Sequence, residues 1–221
     1  FSKNGKNPYA AFAQSLVNGI IAAFEINHQT ADLSLINIQD SRGTVPCFIS
    51  IDTTNRYLFA ANYGSGNFIC LPIMDNGGLD SAIQSIQHEG HSIHPERQSE
   101  PHIHCILLEP NNQFIFAVDL GTDEIKSYRF SHGNGSIQSN SHSLTKLTPG
   151  SGPRHMFFHP NKPWVYIIAE LSNKVHCFHL NKDGNLVAKK ICQYSSRKIP
   201  PRIICCRYHH RSSGDFFICF E

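Results

Sequence analysis

The sequence predicts an all-β protein, a β-propeller of four-stranded antiparallel blades, and three observations support this. Three segments that carry Asp52, Glu109 and His159 at the same place align without a gap for about twenty residues, and such internal repetition is typical of a repeat architecture. Within each segment, apolar residues alternate over short runs bounded by Gly, Asn, Asp and Pro, which indicates strands. The repeats lie about 50 residues apart, the size of a four-stranded blade. A β-sandwich is the alternative, but it would not keep so long a gapless repeat.

Taken in order, the chain begins with a partial blade in residues 1–40. Its Asn18-Gly19 pair is a strong hairpin signal, so we interpret residues 10–24 as strand, turn and strand and not as a targeting segment. Three fuller blades follow in residues 41–96, 97–148 and 149–194, and residues 195–221 are the start of a further blade. Because an open ring leaves strand edges unpaired, we expect this chain to be a fragment of a larger ring.

The blade at 149–194 has the clearest pattern, with strands predicted at residues 154–158, 164–169, 174–180 and 188–193. A turn at residues 181–184 joins its third and fourth strands, and the equivalent turns lie at residues 75–78 and 132–135. Each of these turns contains glycine, which adopts positive φ without steric cost. Turn chemistry and strand pattern therefore favour the same element order.

Composition excludes several classes of partner. Charged residues are 16% of the chain and the net charge is +2, so we expect no nucleic-acid partner and no anionic membrane partner. No apolar run approaches the roughly 18 residues that a membrane span needs. The eight cysteines contain no CxxC pair, and a chain of this size is not a small disulfide scaffold. We interpret them as reduced strand residues in a cytoplasmic protein.

The register of the repeats brings two polar residues together. Five positions before Glu109 and His159 lie His104 and Arg154, each at the start of the first strand of its blade. In a propeller that strand lines the central channel. We therefore expect His104 and Arg154 to be neighbours at one end of the channel, although they are fifty positions apart in sequence.

Glu170 is an exception to the repeat, because the other two repeats have Leu120 and Tyr63 at its place. Departures from a local rule are where function is sought. A histidine can take a proton from water, and an arginine can hold a phosphate or carboxylate or stabilise an oxyanion. Glu170 can orient the histidine, pair with Arg154 or itself be the base. Such a set suits hydrolysis of a neutral ester or lactone that bears an anionic group; the structural alternative is that Arg154 and Glu170 form only a salt bridge while His104 caps a strand.

Other kinds of site have weaker support. His102 and His104 lie on one face of a strand, and three more histidines precede them at His88, His91 and His94, so a metal site is an alternative interpretation. No carboxylate or cysteine stands at ligand spacing, and we predict no metal. The sequence also contains no GxSxG elbow and no P-loop, so covalent serine catalysis and nucleotide use lack a motif.

Three runs resemble signatures of the lactonase family of seven-bladed β-propellers. They are RQSEPHIH at residues 97–104, VDLGTDEIKSY at 118–128, and GPRHMFFHPN at 152–161 followed by AEL at 169–171. The family includes 6-phosphogluconolactonase and, more remotely, the carboxymuconate lactonising enzyme. The resemblance covers residues 18–193 and implies that about three to four of seven blades are present. It further implies a cytoplasmic enzyme without a cofactor, which hydrolyses the phosphorylated sugar lactone 6-phospho-D-glucono-1,5-lactone to 6-phosphogluconate in the pentose phosphate pathway.

The resemblance assigns catalytic roles to the three residues that the register had selected: His104, Arg154 and Glu170. It places three further residues in the substrate-binding channel: Arg97, His102 and His155. The family pattern also implies an arginine in the next blade, which, counted from Arg211, would follow Glu221, the last residue of this chain. We therefore expect the activity of this chain to be impaired.

Two other functions stay open at this point. One is a non-catalytic propeller that binds a protein partner, in which the motif residues are remnants. The other is a lactonising enzyme that adds a carboxylate within a muconate-type substrate. The residues decide neither the identity of the base nor whether the substrate's anion is a phosphate.

Overall fold

The computed structural model describes residues 2, 5–13 and 18–193, together with the backbone of two short strands further on. These residues contain eighteen strands and no helix, which confirms the all-β prediction. None of this described part forms a helix able to cross a membrane. Most of the region predicted to begin a further blade lies outside the described residues, and Arg211, from which the additional arginine was counted, lies outside them too.

The strands form consecutive antiparallel sheets. The first sheet consists of β1 (Tyr9–Phe12), β2 (Ile20–Ile26) and β3 (Leu33–Asp40). The second consists of β4 (Pro46–Ile51), β5 (Tyr57–Asn62), β6 (Asn67–Pro72) and β7 (Gln84–Gln87). The third consists of β8 (Ile103–Leu108), β9 (Phe114–Asp119), β10 (Glu124–Ser131), β11 (Ser136–Ile137) and β12 (Ser143–Lys146), the last two both pairing with β10. The fourth consists of β13 (Pro153–Phe158), β14 (Trp164–Ala169), β15 (Lys174–Leu180) and β16 (Leu186–Gln193), and β17 (Arg207–His210) pairs with β18 (Phe216–Cys219).

The local predictions can be compared with these strands. The two strands predicted in residues 10–24 are confirmed, because β1 pairs antiparallel with β2 and Phe12 lies opposite Ile20; the connection between them includes residues 14–17, which lie outside the described residues. The four strands predicted for the third complete repeat are confirmed, although β13 and β16 begin one and two residues earlier than predicted. The turn glycines adopt positive φ as predicted, at 82° for Gly77, 73° for Gly135 and 76° for Gly184. A side chain at Gly184 would also meet the ring of Phe114 at 2.7 Å, so this turn needs glycine for two reasons.

The apolar core of the described residues is divided among three clusters, which lie between the first and second, the second and third, and the third and fourth sheets. Leu58 and Phe59 are adjacent in β5 and point to opposite faces, as successive residues of a strand do. Leu58 lies in the cluster with Ile21 of the first sheet, and Phe59 lies in the cluster with Ile106 of the third sheet. Each such side chain contributes about 1.5–3 kcal/mol by its burial. Every sheet is therefore stabilised through its neighbours, as expected for stacked repeats.

The innermost strands lie side by side. β4 packs against β8, and β8 packs against β13, so the first strands of three successive sheets form one wall. The second strand of each sheet also packs on the first strand of the next, β5 on β8 and β9 on β13. Because β1 packs on β4 in the same manner, it occupies the place of a second strand. The wall of first strands positions the site described next.

Candidate active site

Each innermost strand carries a β-bulge at the same position. The pairing register shifts between Pro46 and Phe48 in β4, between Ile103 and Cys105 in β8, and between Pro153 and His155 in β13. The extra residues are, in strand order, Cys47, His104 and Arg154. A bulge leaves one residue outside the ladder of backbone hydrogen bonds and redirects its side chain. The three equivalent positions of the repeat are thereby turned toward each other across adjacent strands.

Arg154 and His104 are in direct contact, as the register predicted. The guanidinium of Arg154 donates a hydrogen bond from Nε to Nε2 of His104, at 2.8 Å. Since arginine has no acceptor, His104 must accept with Nε2 and carry its proton on Nδ1, which lies 3.9 Å from Sγ of Cys47. His104 is thus a neutral imidazole whose one ring lone pair is occupied.

Two histidines of the site are held neutral. Burial, followed by the charge of Arg154 and the proximity of His155, lowers the pKa of His104 to about 3. Burial, followed by the charge of Arg154, lowers the pKa of His155 to about 4. The two rings meet edge to face, with 5.1 Å between their centroids. Both imidazoles are therefore uncharged at neutral pH, and the positive charge of the site comes from arginine.

Cys47 does not offer a thiolate to this site. Its Sγ faces the backbone carbonyl oxygens of Ile103 and His104, at 3.7 and 3.6 Å. Cys47 is exposed as a residue, but its Sγ lies against these carbonyl groups, and desolvation there raises the pKa of its thiol to about 12, in spite of the nearby charge of Arg154. Because the thiolate and not the thiol is the nucleophile, covalent chemistry through Cys47 is disfavoured.

Glu170 links two arginines. Its Oε2 lies 3.2 Å from Nε of Arg154, and its Oε1 accepts a hydrogen bond from Nη2 of Arg97 at 3.0 Å. Arg97 comes from the loop before β8, and Glu170 directly follows β14. The salt bridge foreseen as the structural alternative is therefore present. Arg154 also contacts His104. The structural interpretation of the salt bridge and the catalytic interpretation of Arg154 and His104 therefore do not exclude each other.

Within the described part of the chain, the site has more positive than negative charge and an unpartnered donor, so it can accept an anion. One carboxylate faces two guanidinium groups, those of Arg97 and Arg154, and the adjacent histidines are neutral, so the cluster has a net charge of about +1. Nη1 of Arg154 is buried and has no hydrogen-bond partner among the described residues. Leaving a buried donor unsatisfied costs about 1–3 kcal/mol, more for a charged group. An incoming phosphate or carboxylate can supply the missing acceptor.

Tyr63 is the residue of this site that sequence reasoning missed. Its ring stacks on His102, with centroids 4.3 Å apart and planes at 9°, and it meets His104 edge to face at 5.6 Å. Its hydroxyl accepts a hydrogen bond from Nε of Arg97 at 3.4 Å. The signal that points to it is the repeat itself, because Tyr63 occupies the place that Glu170 has two repeats later. Both end a second strand, and both contact Arg97.

His102 is held by the backbone of the preceding sheet. Its Nδ1 donates to the carbonyl oxygen of Tyr63 at 2.8 Å, which leaves Nε2 as the acceptor. Its own backbone N–H donates to Oδ1 of Asp119 at 2.8 Å. Asp119 in turn pairs through Oδ2 with Nδ1 of His88 at 2.7 Å, and Nε2 of His88 contacts the hydroxyl of Tyr128 at 2.9 Å. This buried network fixes the start of β8 and hence the bulge at His104.

The network also shows what one of the upstream histidines does. His88 belongs to it, and His94 accepts backbone N–H groups of Glu96 and Arg97 with Nδ1. Within residues 2, 5–13 and 18–193, no three histidine, cysteine, aspartate or glutamate side chains are arranged to hold a metal ion. The described histidines near this site thus have protein partners or channel positions.

Comparison with known proteins relates the chain to one family. The model of a family described as Lactonase, 7-bladed beta-propeller, matches residues 1–202. A 6-phosphogluconolactonase of Bacillus subtilis is 37% identical over 163 residues, which are 74% of this chain and 45% of that protein. A 6-phosphogluconolactonase of Formosa agariphila is 34% identical over 187 residues, 84% of this chain and 53% of that protein. The chain spans about half the length of these curated relatives.

A solved structure shows the same fold. The periplasmic gluconolactonase of Pseudomonas aeruginosa superposes with a TM-score of 0.85 over 97% of this chain and 61% of that chain. The sequence identity is 24%, and at this level the likeness concerns the fold alone.

Proposed function

Because the chain belongs to the lactonase family of seven-bladed β-propellers, we propose that the complete protein hydrolyses an anionic sugar lactone, 6-phospho-D-glucono-1,5-lactone, to 6-phosphogluconate. The observation that carries the proposal is the direct pairing of Arg154 with His104 beside Glu170. The two curated relatives are named for this reaction. The substrate is a small molecule of the pentose phosphate pathway.

The arginines supply recognition of the substrate's charge. Arg97 and Arg154 share one carboxylate, that of Glu170, so a phosphate that enters the channel meets an excess of positive charge. Guanidinium groups bind phosphate in a bidentate manner through parallel N–H donors. His102 and His155 flank this region of the channel, where their rings would contact the sugar of the substrate.

His104 is the base in this proposal. A water oxygen attacks the lactone carbonyl carbon while Nε2 of His104 takes a proton from that water, and the carbonyl becomes a tetrahedral oxyanion beside Arg154. The oxyanion then collapses, the ring C–O bond breaks, and the proton on Nε2 passes to the departing ring oxygen. One water is consumed, and the step as written uses no cofactor. Glu170 is less suited to be the base, because its oxygens face two arginines, whereas Nε2 of His104 faces only Arg154.

The test is lactone hydrolysis by the protein expressed from its complete coding sequence. Arg154→Ala removes both the anion partner and the oxyanion donor, so we expect a loss of kcat/KM of at least about 10²–10³. Arg56→Ala is the matched control, since Arg56 is exposed and stacks over Tyr57 away from the site. A folded Arg154→Ala protein with full activity would overturn the proposal. Faster turnover of a muconate-type dicarboxylate would instead favour a lactonising enzyme, and binding of a protein partner without turnover of any lactone would favour a non-catalytic propeller.

We also propose the cytoplasm as the compartment of this protein. Cys47, Cys70 and Cys105 of the described part are free thiols, which suits a reducing environment. Cell fractionation with the complete protein tests this proposal, and recovery in an oxidising compartment would contradict it.

The blade limits are likewise proposed at 41–96, 97–148 and 149–194, with parts of two further blades in 1–40 and 195–221. Sheets of four, five and four strands lie within the three central ranges, in chain order. Limited proteolysis of the complete protein should cut preferentially near these limits, where few strands pair.

A further inference from the structure

We propose that Arg154 keeps His104 unavailable as a base until an anion binds the guanidinium and draws it away from Nε2. This inference rests on the proposed function and adds regulation to the same site. The anionic group of the substrate then has two roles, because it anchors the substrate and also releases the base. A lactone without an anionic group would bind to a site whose base is still occupied.

The hydrogen bond between the two residues occupies the lone pair that a base needs. Nε of Arg154 donates to Nε2 of His104 at 2.8 Å, and an imidazole that accepts at Nε2 has no second ring lone pair to offer. Water cannot transfer a proton to His104 while this bond exists. The opposite ring nitrogen carries the proton and faces Sγ of Cys47, so a change of tautomer does not help.

The paired arrangement leaves one donor of Arg154 without a partner in the described part of the chain. Nη1 of Arg154 is buried without a hydrogen-bond partner among the described residues, so the resting position of the guanidinium leaves a charged donor unsatisfied. Because Nη1 is buried in this position, an anion can accept from it only after the same side chain turns toward the channel. Arginine is long enough to turn without movement of β13. The anion therefore stabilises the released state more than the paired state, which is what a shift between two states requires.

The charge of the surrounding groups also acts on His104. The groups that face His104 come from several elements: Cys47 on β4, Tyr63 after β5, Arg97 before β8, and Arg154 and His155 on β13. Glu170 is the carboxylate that balances the arginines. Burial first and the Arg154 charge second lower the pKa of His104 to about 3. Neutralising Arg154 with a dianion removes the second cause, so the pKa of His104 should rise when the base is released.

The direct experiment follows His104 by NMR in the protein expressed from its complete coding sequence. With ¹⁵N-labelled histidine, inorganic sulfate is the probe because it stays dianionic throughout the titration, and sodium chloride at equal ionic strength is the control. We expect the Nδ1–H form without titration above about pH 5 in chloride, and a rise of the pKa of His104 by at least about one unit in sulfate. Arg154→Gln should show the raised pKa already in chloride and no response to sulfate. Identical spectra in the two salts, or a wild-type response in Arg154→Gln, would overturn the inference.

A second experiment measures catalysis with the lactone and the anion supplied as two separate molecules. Unphosphorylated glucono-1,5-lactone is the substrate, and inorganic phosphate is added separately to supply the missing anion. We expect phosphate to raise kcat/KM of the wild type by at least about tenfold and to leave Arg154→Gln unaffected. If the phosphorylated lactone is hydrolysed but phosphate does not activate the neutral lactone, the inference fails while the proposed function stands. If no lactone is hydrolysed while sulfate still raises the pKa of His104, the proposed function fails and the effect of the anion on His104 stands.

Discussion

The first strand of each complete repeat has one end in the channel and the other at a turn, and the repeats differ much more at the channel end. At the turn end, Oδ1 of Asp52 accepts the backbone N–H groups of Arg56 and Tyr57 at 2.7 and 2.9 Å. At the equivalent Glu109, burial raises the pKa of the carboxyl, and the nearby backbone N–H groups of Gln113 and Phe114 oppose that rise. Nδ1 of His159 accepts the backbone N–H of Asn161 at 3.1 Å. Three residue types thus have one structural role.

At the channel end, five residues earlier, the equivalent positions hold a thiol, an imidazole and a guanidinium at Cys47, His104 and Arg154. Their backbone geometry is the same bulge, but their side chains have different chemical roles. The difference shows that the turn end of the first strand can keep one structural role in every repeat, while the side chain at the channel end varies in chemistry. Four substitutions or conditions can break or sharpen this contrast, and they follow from the largest expected effect to the smallest.

His104→Gln should affect activity much more than stability. Glutamine can keep a hydrogen bond to Arg154 but cannot take a proton from water, so we expect kcat to fall by about 10²–10⁴-fold. The measurement is steady-state hydrolysis of the phosphorylated lactone, with thermal unfolding recorded in parallel. The matched control is His159→Gln at the turn end, for which we expect nearly unchanged kcat. Equal losses in the two variants would remove the contrast between the ends.

Asp52→Ala should show the opposite pattern. The substitution leaves backbone N–H groups of Arg56 and Tyr57 without their acceptor in a buried turn, which we expect to lower the free energy of unfolding by about 1–3 kcal/mol. Chemical denaturation measures this loss, and kcat per folded molecule should be unchanged. A variant that is fully stable but inactive would mean that Asp52 belongs to the catalytic end after all.

The channel histidines predict a dependence of stability on pH. Their folded pKa values, about 3 for His104 and about 4 for His155, lie below the ordinary value of about 6.5, so the unfolded chain binds more protons. Stability is therefore lost as the pH falls through about 6.5 toward the folded values. Between pH 7 and pH 5 we expect each histidine to lower the free energy of unfolding by on the order of 1–2 kcal/mol. Denaturation curves of His104→Gln should show a correspondingly flatter dependence, and a slope equal to that of the wild type would contradict the assignment.

Tyr63→Phe should have the smallest effect. It removes only a long hydrogen bond to Arg97, at 3.4 Å, while the stacking on His102 is kept. A bond of this kind contributes about 0.5–1.5 kcal/mol, so we expect KM to rise by about two- to tenfold and kcat to stay the same. A loss of kcat without a change of KM would show that Tyr63 acts on the base and not on the arginine.

The contrast between the two ends also explains how far sequence reasoning reached. Register alone identified the equivalence of His104 and Arg154, and the strand pattern identified the sheets, because a repeat fixes both periodicity and position. The positive φ of Gly184 followed from turn chemistry in the same way. These features depend on the backbone, and the backbone repeats.

What the sequence could not supply depends on side-chain geometry. Arg97 lies in a loop before β8 and has no counterpart in the repeat, so nothing in the register predicted that it would share Glu170 with Arg154. The occupation of Nε2 of His104 depends on the orientation of one guanidinium, which no periodicity encodes. Tyr63 was noticed only as the residue that Glu170 replaces, although its own contacts place it in the same cluster.

The bulge shared by β4, β8 and β13 has a consequence for protein engineering. A residue outside the hydrogen-bond ladder can be substituted without loss of strand pairing. Each bulge is therefore a position where evolution or a designer can introduce a side chain with new chemistry. In this chain the bulge position in β4 holds the protonated thiol of Cys47, which the proposed chemistry does not use. Substitution of Cys47 can place a third reactive side chain beside His104 and Arg154, because the bulge already directs the side chain at this position toward the channel.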